Sequence, residues 1–195
     1  MVSVFIAESN APGDFYEGRL DGFAANEVLK VRRLRTAYRA VLDIEHLERA
    51  IEDAADFGAD ILHLSCHGDH EGIQLSDTTC VDWPELAALL RPFASADRMI
   101  VLSACKGGHV DFTKALLKSG SNVRAVFGAL GDPSFSASCI AWSILYNELA
   151  DEGLEPAAFQ SAVDKINHVV RGGFVYRTYD PQWDSYEFYP WDALE

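Results

Sequence analysis

Arg98-Met-Ile-Val-Leu-Ser-Ala104 carries four apolar residues in succession, with no polar alternation. It is too short for a buried helix and reads as a strand covered on both faces, the habit of a parallel sheet packed between helices. Two further stretches repeat the pattern, Asp60-Ile-Leu-His-Leu-Ser-Cys66 and Arg124-Ala-Val-Phe-Gly-Ala-Leu130. Working outward, residues 2–7 read as a first strand and 38–42 as a second. Helical patterns fill the gaps. Asp43 can cap a helix with Leu47, Ile51, Ala54 and Ala55 on one stripe and Gly58 to end it. Asp82 and Glu85 form a capping box ahead of Leu86, Leu89 and Leu90, and Pro92 marks the stop. Asp111 opens a segment with Phe112, Ala115 and Leu116 that Gly120 closes; two more helices are expected at 138–151 and 156–170, and a closing strand or hairpin with a packed tail at 174–191. Alternation of strand and helix demands crossover connections, so the expected fold is α/β: a mostly parallel sheet in three layers.

No repeat or low-complexity linker divides the chain, and residues 1–195 are read as one domain. The 16 Lys plus Arg stand against 30 Asp plus Glu, a formal charge of −14, which disfavours a nucleic-acid partner because phosphate binding needs cations. The one basic cluster, Lys30-Val-Arg-Arg-Leu-Arg35, is balanced by neighbouring acids and reads as a solvated face. The apolar start lacks a basic leader, and no window reaches the roughly 18 apolar residues of a membrane span, so a soluble, cytoplasmic protein without a membrane partner is expected. Cys66, Cys80, Cys105 and Cys139 include no C-x-x-C pair and suit a reducing compartment.

Ligands of parallel sheets gather beyond the carboxyl ends of the strands. There the strand through Ser65 runs into His67-Gly68, and the strand through Ser103 runs into Cys105-Lys106-Gly107-Gly108. If the two strands are neighbours, a His and a Cys meet at one edge, the arrangement of a nucleophilic dyad. An imidazolium beside Cys105 would make it the most reactive of the four thiols. The backbone N–H groups of Gly68 and Cys105 are the natural oxyanion donors. Cys66, Cys80 and Cys139 read as core filling; His63 reads as a buried hydrogen-bonding residue, and His109 as the competing base.

Leu62-His-Leu-Ser-Cys-His-Gly68, Gly72-Ile-Gln-Leu-Ser-Asp77 and Ile100-Val-Leu-Ser-Ala-Cys-Lys-Gly107 together resemble the CHAT family of caspase-like cysteine peptidases, relatives of separase. The resemblance covers residues 60–170 well and extends over Val126-Phe-Gly-Ala-Leu-Gly-Asp132. It implies a caspase-hemoglobinase fold, His67 as catalytic histidine, Cys105 as nucleophile, no metal or organic cofactor, and a protein or peptide substrate, with a role in prokaryotic stress or defence signalling. CHAT domains are commonly fused to sensor repeats; none is recognisable here, so any regulatory or activating protein would be separate or absent. Lys106 stands where such chains often carry an acid, and Gly131 lies where a tryptophan is often seen.

Charge suggests the specificity. Asp69, Glu71, Asp77 and Asp111 are expected around the dyad, favouring cationic peptides. Asp132, in the segment resembling separase, is the candidate floor of a substrate pocket for a basic P1 residue; the plainer reading is that it opens the turn at Pro133. Three other chemistries fit worse. A zinc site from His63, Cys66, His67, His70 and Cys80 lacks the usual ligand spacings. A cysteine phosphatase would need Arg six positions after its nucleophile, where Asp111 stands. Nucleotide binding at Gly107-Gly108 matches neither glycine-rich phosphate motif. The rival from another class is an inactive or latent peptidase-like module that binds a partner.

Overall fold

The computed structural model describes residues 2–190, which run β1 (Ser3–Ser9), α1 (Pro12–Glu17), α2 (Asp21–Val31), β2 (Arg35–Ala40), α3 (Ile44–Phe57), β3 (Ile61–Gly68), β4 (Gly72–Gln74), β5 (Cys80–Asp82), α4 (Trp83–Leu89), β6 (Met99–Ser103), α5 (Val110–Ser119), β7 (Ala125–Ala129), α6 (Phe135–Glu152), α7 (Pro156–Val169), β8 (Phe174–Asp180) and β9 (Ser185–Tyr189). The end of the expected tail, at Trp191, lies outside the described residues. The main sheet has the order β2-β1-β3-β6-β7-β8-β9. Its first five strands are parallel, and β8 and β9 close it in antiparallel fashion. The small hairpin β4–β5 is antiparallel to the end of β3.

The continuous apolar runs divide between two cores. Phe5, Ala7, Leu62, Leu64, Ile100 and Leu102 join the side chains of α3, α4 and α5. Val4, Ile6, Ile61, Met99 and Val101 join those of α2, α6 and α7. A strand with apolar residues on both faces has to be covered on both, and burial of each such side chain contributes roughly 1.5 to 3 kcal/mol. The result is the expected mixed α/β fold in three layers, mostly parallel, with helices on both faces.

The helix ends follow from local chemistry. Asp43 accepts from the His46 N–H at 2.9 Å and Asp82 from the Glu85 N–H at 2.7 Å, satisfying donors of the first turn, while Gly58 and Gly120 end α3 and α5 in the left-handed region. α5 begins earlier than anticipated, with His109 as its N-cap residue and Asp111 in its first turn. The second strand is shifted to residues 35–40, which pair with β1 from Arg35 opposite Ser3 to Ala40 opposite Glu8, and Asp43 caps the next helix. Residues of the basic cluster are individually engaged: Lys30 pairs with Glu27 at 2.7 Å, Arg32 with Asp151, and Arg35 lies over the Phe57 ring at 4.0 Å. Among the described residues no helix is long and apolar enough to cross a membrane, and all four cysteines are free thiols.

Candidate active site

Strands β3 and β6 are hydrogen-bonded neighbours with Ser65 opposite Ser103. Two residues further along each chain come His67 and Cys105, and both line one small cleft of about 50 Å³ with Asp21, Cys66, Ser103, Ala104, Pro133, Phe135 and Ser138. The parallel register thus brings together two residues that are far apart in sequence.

His67 is oriented by groups from outside its strand. Its Nε2 lies 2.6 Å from Oδ2 of Asp14 in α1, a buried carboxylate that also pairs with Arg19 at 2.7 Å. The Phe135 ring meets the imidazole edge to face at 5.8 Å. Burial pushes the Asp14 carboxyl up, but the hydrogen bond and charge of His67, together with Arg19, outweigh it and hold it below the usual carboxylate range. A carboxylate accepting from Nε2–H fixes the tautomer that leaves Nδ1 as the basic nitrogen. Asp14 escaped the sequence reading, because nothing but its position, just past the carboxyl end of β1, distinguishes it from other acids.

The loop after Cys105 is bound down on β7. The N–H groups of Lys106, Gly107 and Gly108 donate to the carbonyls of Gly131, Ala104 and Ala129 at 3.0, 3.1 and 2.9 Å. Buried Arg177 of β8 donates from Nε to the Gly108 carbonyl at 3.0 Å. A Cβ at Gly128 would stand 2.4 Å from the Gly108 nitrogen, so the close approach of loop and strand accounts for these glycines. Their N–H groups are engaged in holding the loop. Lys106 is held at φ 61°, the left-handed region, which costs a residue with a Cβ roughly 1 to 2 kcal/mol. Gly68 approaches the same loop: a Cβ there would lie 3.0 Å from the Ala104 Cβ and 3.1 Å from the Cys105 carbonyl oxygen.

The resting thiol departs from the expected priming. Burial pushes the Cys105 thiol above its ordinary range, and the negative charge of Asp132 raises it further; Lys106 acts in the opposite direction. Asp132 itself is exposed, sits 3.5 Å from the Lys106 Nζ, and borders a broader depression of about 430 Å³ with Pro133, Ser134, Ile140 and Arg171.

Beneath the cleft lies Asp21, a second acid that the sequence did not single out. Its carboxylate accepts from Ser65 at 2.8 Å and from Ser103 at 2.5 Å, and Ser103 accepts in turn from the Trp142 indole at 2.6 Å. Burial raises the Asp21 carboxyl in spite of these bonds. Glu8 stands beside it, also raised by burial, accepting from the Tyr38 hydroxyl at 2.7 Å and from the N–H groups of Gly22 and Phe23. On the other side of His67 a groove of about 250 Å³ is walled by Gly68, Asp69, Glu71, Gln74, Asp82 and Glu85. Asp77 and Asp111 are not part of it: Asp77 binds Thr79 in a turn, and Asp111 pairs with His109 and Lys114.

Other polar residues are structural. His63 is fully buried, with Nδ1 2.6 Å from the Tyr146 hydroxyl, and burial pushes its pKa down to about 3, so it stays neutral. Cys80 is exposed on β5 and fills no core, whereas Cys66 packs against the apolar layer around α3 and α4. Among the described residues no group of three or more His, Cys, Asp or Glu could hold a metal ion.

The fold has solved counterparts. It resembles the complex of the pro- and mature domains of Porphyromonas gingivalis RgpB, with a TM-score of 0.54, 12% sequence identity, and coverage of 86% of this chain and 43% of that one. It also resembles the Arg-specific cysteine proteinase gingipain R (RgpB), at a TM-score of 0.51, 13% identity, and coverage of 84% and 42%. The likeness is one of fold, caspase-like α/β, and this chain spans less than half the length of either structure's chain. No family model matches the sequence, and no curated protein sequence matches it.

Proposed function

We propose that this chain is a cysteine endopeptidase of the CHAT-like branch of caspase-like proteins. The observation that carries the reading is the placement of His67 and Cys105 at the ends of two paired parallel strands, in one cleft, with Asp14 on the far nitrogen of the imidazole. In this reading Nδ1 of His67 takes the Cys105 proton, the thiolate attacks the scissile carbonyl, and the imidazolium returns the proton to the leaving amine. The N–H groups of Gly68 and Cys105 face the developing oxyanion. The acids along the cleft favour a basic P1 residue. Asp132 is its candidate partner, because the depression it borders has room for an arginine, and the space above Asp21 is smaller than that side chain. Gingipain R, one of the solved counterparts, is Arg-specific. Free thiols throughout fit a reducing, cytoplasmic setting.

The decisive experiment is labelling by a peptidyl chloromethyl ketone with Arg at P1, followed by mass spectrometry. Modification of Cys105, lost in His67→Ala, is expected, along with cleavage of Arg-containing peptides that Cys105→Ala abolishes and Cys139→Ala retains. A second reading draws support from the Cys105 thiol, which burial and the charge of Asp132 raise above its ordinary range: a latent or inactive peptidase-like module that acts by binding a partner protein. Absence of labelling at Cys105, with correct folding, selects that reading.

A further inference from the structure

Four side chains beside the cleft close into a ring that proton transfer alone does not call for. Oδ2 of Asp14 lies 2.6 Å from Nε2 of His67, and its Oδ1 lies 2.7 Å from a terminal nitrogen of Arg19. The Arg19 guanidinium stands over the Phe135 ring, 5.7 Å from its centroid, within reach of a cation–π contact. That ring in turn meets the His67 imidazole at 5.8 Å and an interplanar angle of 89°. The members come from four segments: β3, α1, the turn after α1 and the start of α6. Gly18, left-handed at φ 70°, ends α1 and turns the chain back, so that the Arg19 N–H donates to the Asp14 carbonyl at 2.9 Å. The backbone thus delivers the guanidinium to the one carboxylate that touches the imidazole.

We propose that Arg19 is a positioning residue for His67, acting through Asp14: it fixes the direction of the carboxylate, so that the imidazole keeps the single tautomer able to accept a proton at Nδ1. The inference rests on reading His67 as the base for Cys105. A neutral imidazole left to itself divides between two tautomers, and the one protonated at Nδ1 has no lone pair there for the thiol proton. A carboxylate on Nε2–H selects the other, provided that it stays in place. Held at one oxygen only, it can rotate away from the ring. With Oδ1 tied to a guanidinium by a charge-assisted bond, Oδ2 stays on Nε2–H. The Asp14 side chain is only 6% exposed, so water competes little for Oδ1, whereas Arg19 at 48% keeps much of its fork in solvent and on Glu17, 3.0 Å away. Phe135 completes the support, as the platform under Arg19 and the stop against which the imidazole rests.

The test is nitrogen NMR of the isotope-labelled His67 ring in alkaline buffer, its signals assigned by their loss in His67→Gln. In the parent the two ring nitrogens should be widely separated, Nε2 protonated and Nδ1 bare. In Arg19→Gln both should move toward the values of free histidine, whose ring exchanges between tautomers. Arg19→Lys, which returns a cation to Oδ1, should recover the parent's shifts. Asp14→Ala should displace them as well, and Arg19→Gln added to it should change nothing further, because Arg19 acts through that carboxylate. On an Arg peptide, Arg19→Gln should lower kcat roughly tenfold with KM nearly unchanged, and Arg19→Lys should restore it. Thermal melting of each variant separates a tautomer effect from loss of fold. Ring shifts in Arg19→Gln that match the parent, no recovery in Arg19→Lys, or a further displacement on the Asp14→Ala background overturn the proposal. Because the ring is read without any cleavage, displaced shifts in a protein that cleaves nothing would sink the peptidase reading alone, and unmoved shifts in an active peptidase would sink this one alone.

Discussion

Nε2 of His67 lies 2.6 Å from Oδ2 of Asp14, across 53 residues of sequence, and this contact turns a His/Cys pair into an oriented arrangement. In the proposed mechanism the carboxylate holds the ring in one tautomer and stabilises the imidazolium formed during attack.

Asp14→Asn keeps the shape of the side chain and removes its charge. Its expected effect is a fall in kcat of roughly 10²- to 10⁴-fold with KM nearly unchanged, because the lost interaction strengthens only as the ring becomes charged. Steady-state kinetics on an Arg peptide measures this. A variant as fast as its parent would remove Asp14 from the mechanism.

Asp21 gives a signed prediction for stability. Its carboxyl is raised above the ordinary 3.8 by burial, so between that value and its folded value the native state holds the proton more firmly than the unfolded chain does. Its contribution therefore declines as pH rises from about 4 and levels off above the folded pKa. Asp21→Asn loses that slope. In urea unfolding at several pH values, the variant's stability relative to the parent should improve as pH rises from about 4 and stop changing above the folded pKa, on top of a constant offset from altered bonds to Ser65 and Ser103. A flat difference would mean that Asp21 titrates normally.

Substrates differing only at P1 separate the two acids. Arg is expected to exceed Leu by tenfold or more in kcat/KM, as a bidentate contact of roughly 1.5 to 3 kcal/mol allows, and Asp is expected to be the poorest. Asp132→Asn should collapse the Arg preference. Collapse in Asp21→Asn with Asp132→Asn unaffected would transfer the role to the buried acid, and a preference for Leu or Asp in the parent would end the basic-P1 proposal.

Gly128→Ala tests the packing behind the nucleophile. The added methyl would stand 2.4 Å from the Gly108 nitrogen and 2.5 Å from the Gly107 carbonyl carbon. Overpacking of this kind costs roughly 1 to 3 kcal/mol, and the displaced loop should carry Cys105 with it. Both the melting temperature and the alkylation rate of Cys105 are expected to fall. A loss of stability with unchanged thiol chemistry would show that the loop and the nucleophile move independently.

The residues that could be read from the sequence are those whose neighbours in space follow from local pattern. The runs at β3 and β6 are apolar on both faces, and a parallel arrangement follows from the helix between them, so His67 and Cys105 could be brought together on paper. The caps at Asp43 and Asp82 are likewise local. α2 was missed because its inward face mixes Ala25 and Leu29 with buried Asp21, Gly22 and Asn26, which breaks the apolar period. Asp14 and Asp21 were missed for a related reason, since each acquires meaning only from strands more than 40 residues away. The raised Cys105 thiol follows first from its burial in the folded cleft, which no spacing encodes.

The bond from Arg177 to the Gly108 carbonyl sets a timetable for the protein's making. Every group assigned to the chemistry, from Asp14 to Asp132, leaves the ribosome before β8 does, yet the loop that carries the nucleophile is fastened by a guanidinium on that strand. A nascent chain ending before residue 174 holds His67 and Cys105 without that clasp. In the order of synthesis, the loop that carries Cys105 gains its side-chain clasp from β8 only after every strand and helix of the parallel part of the sheet has been made.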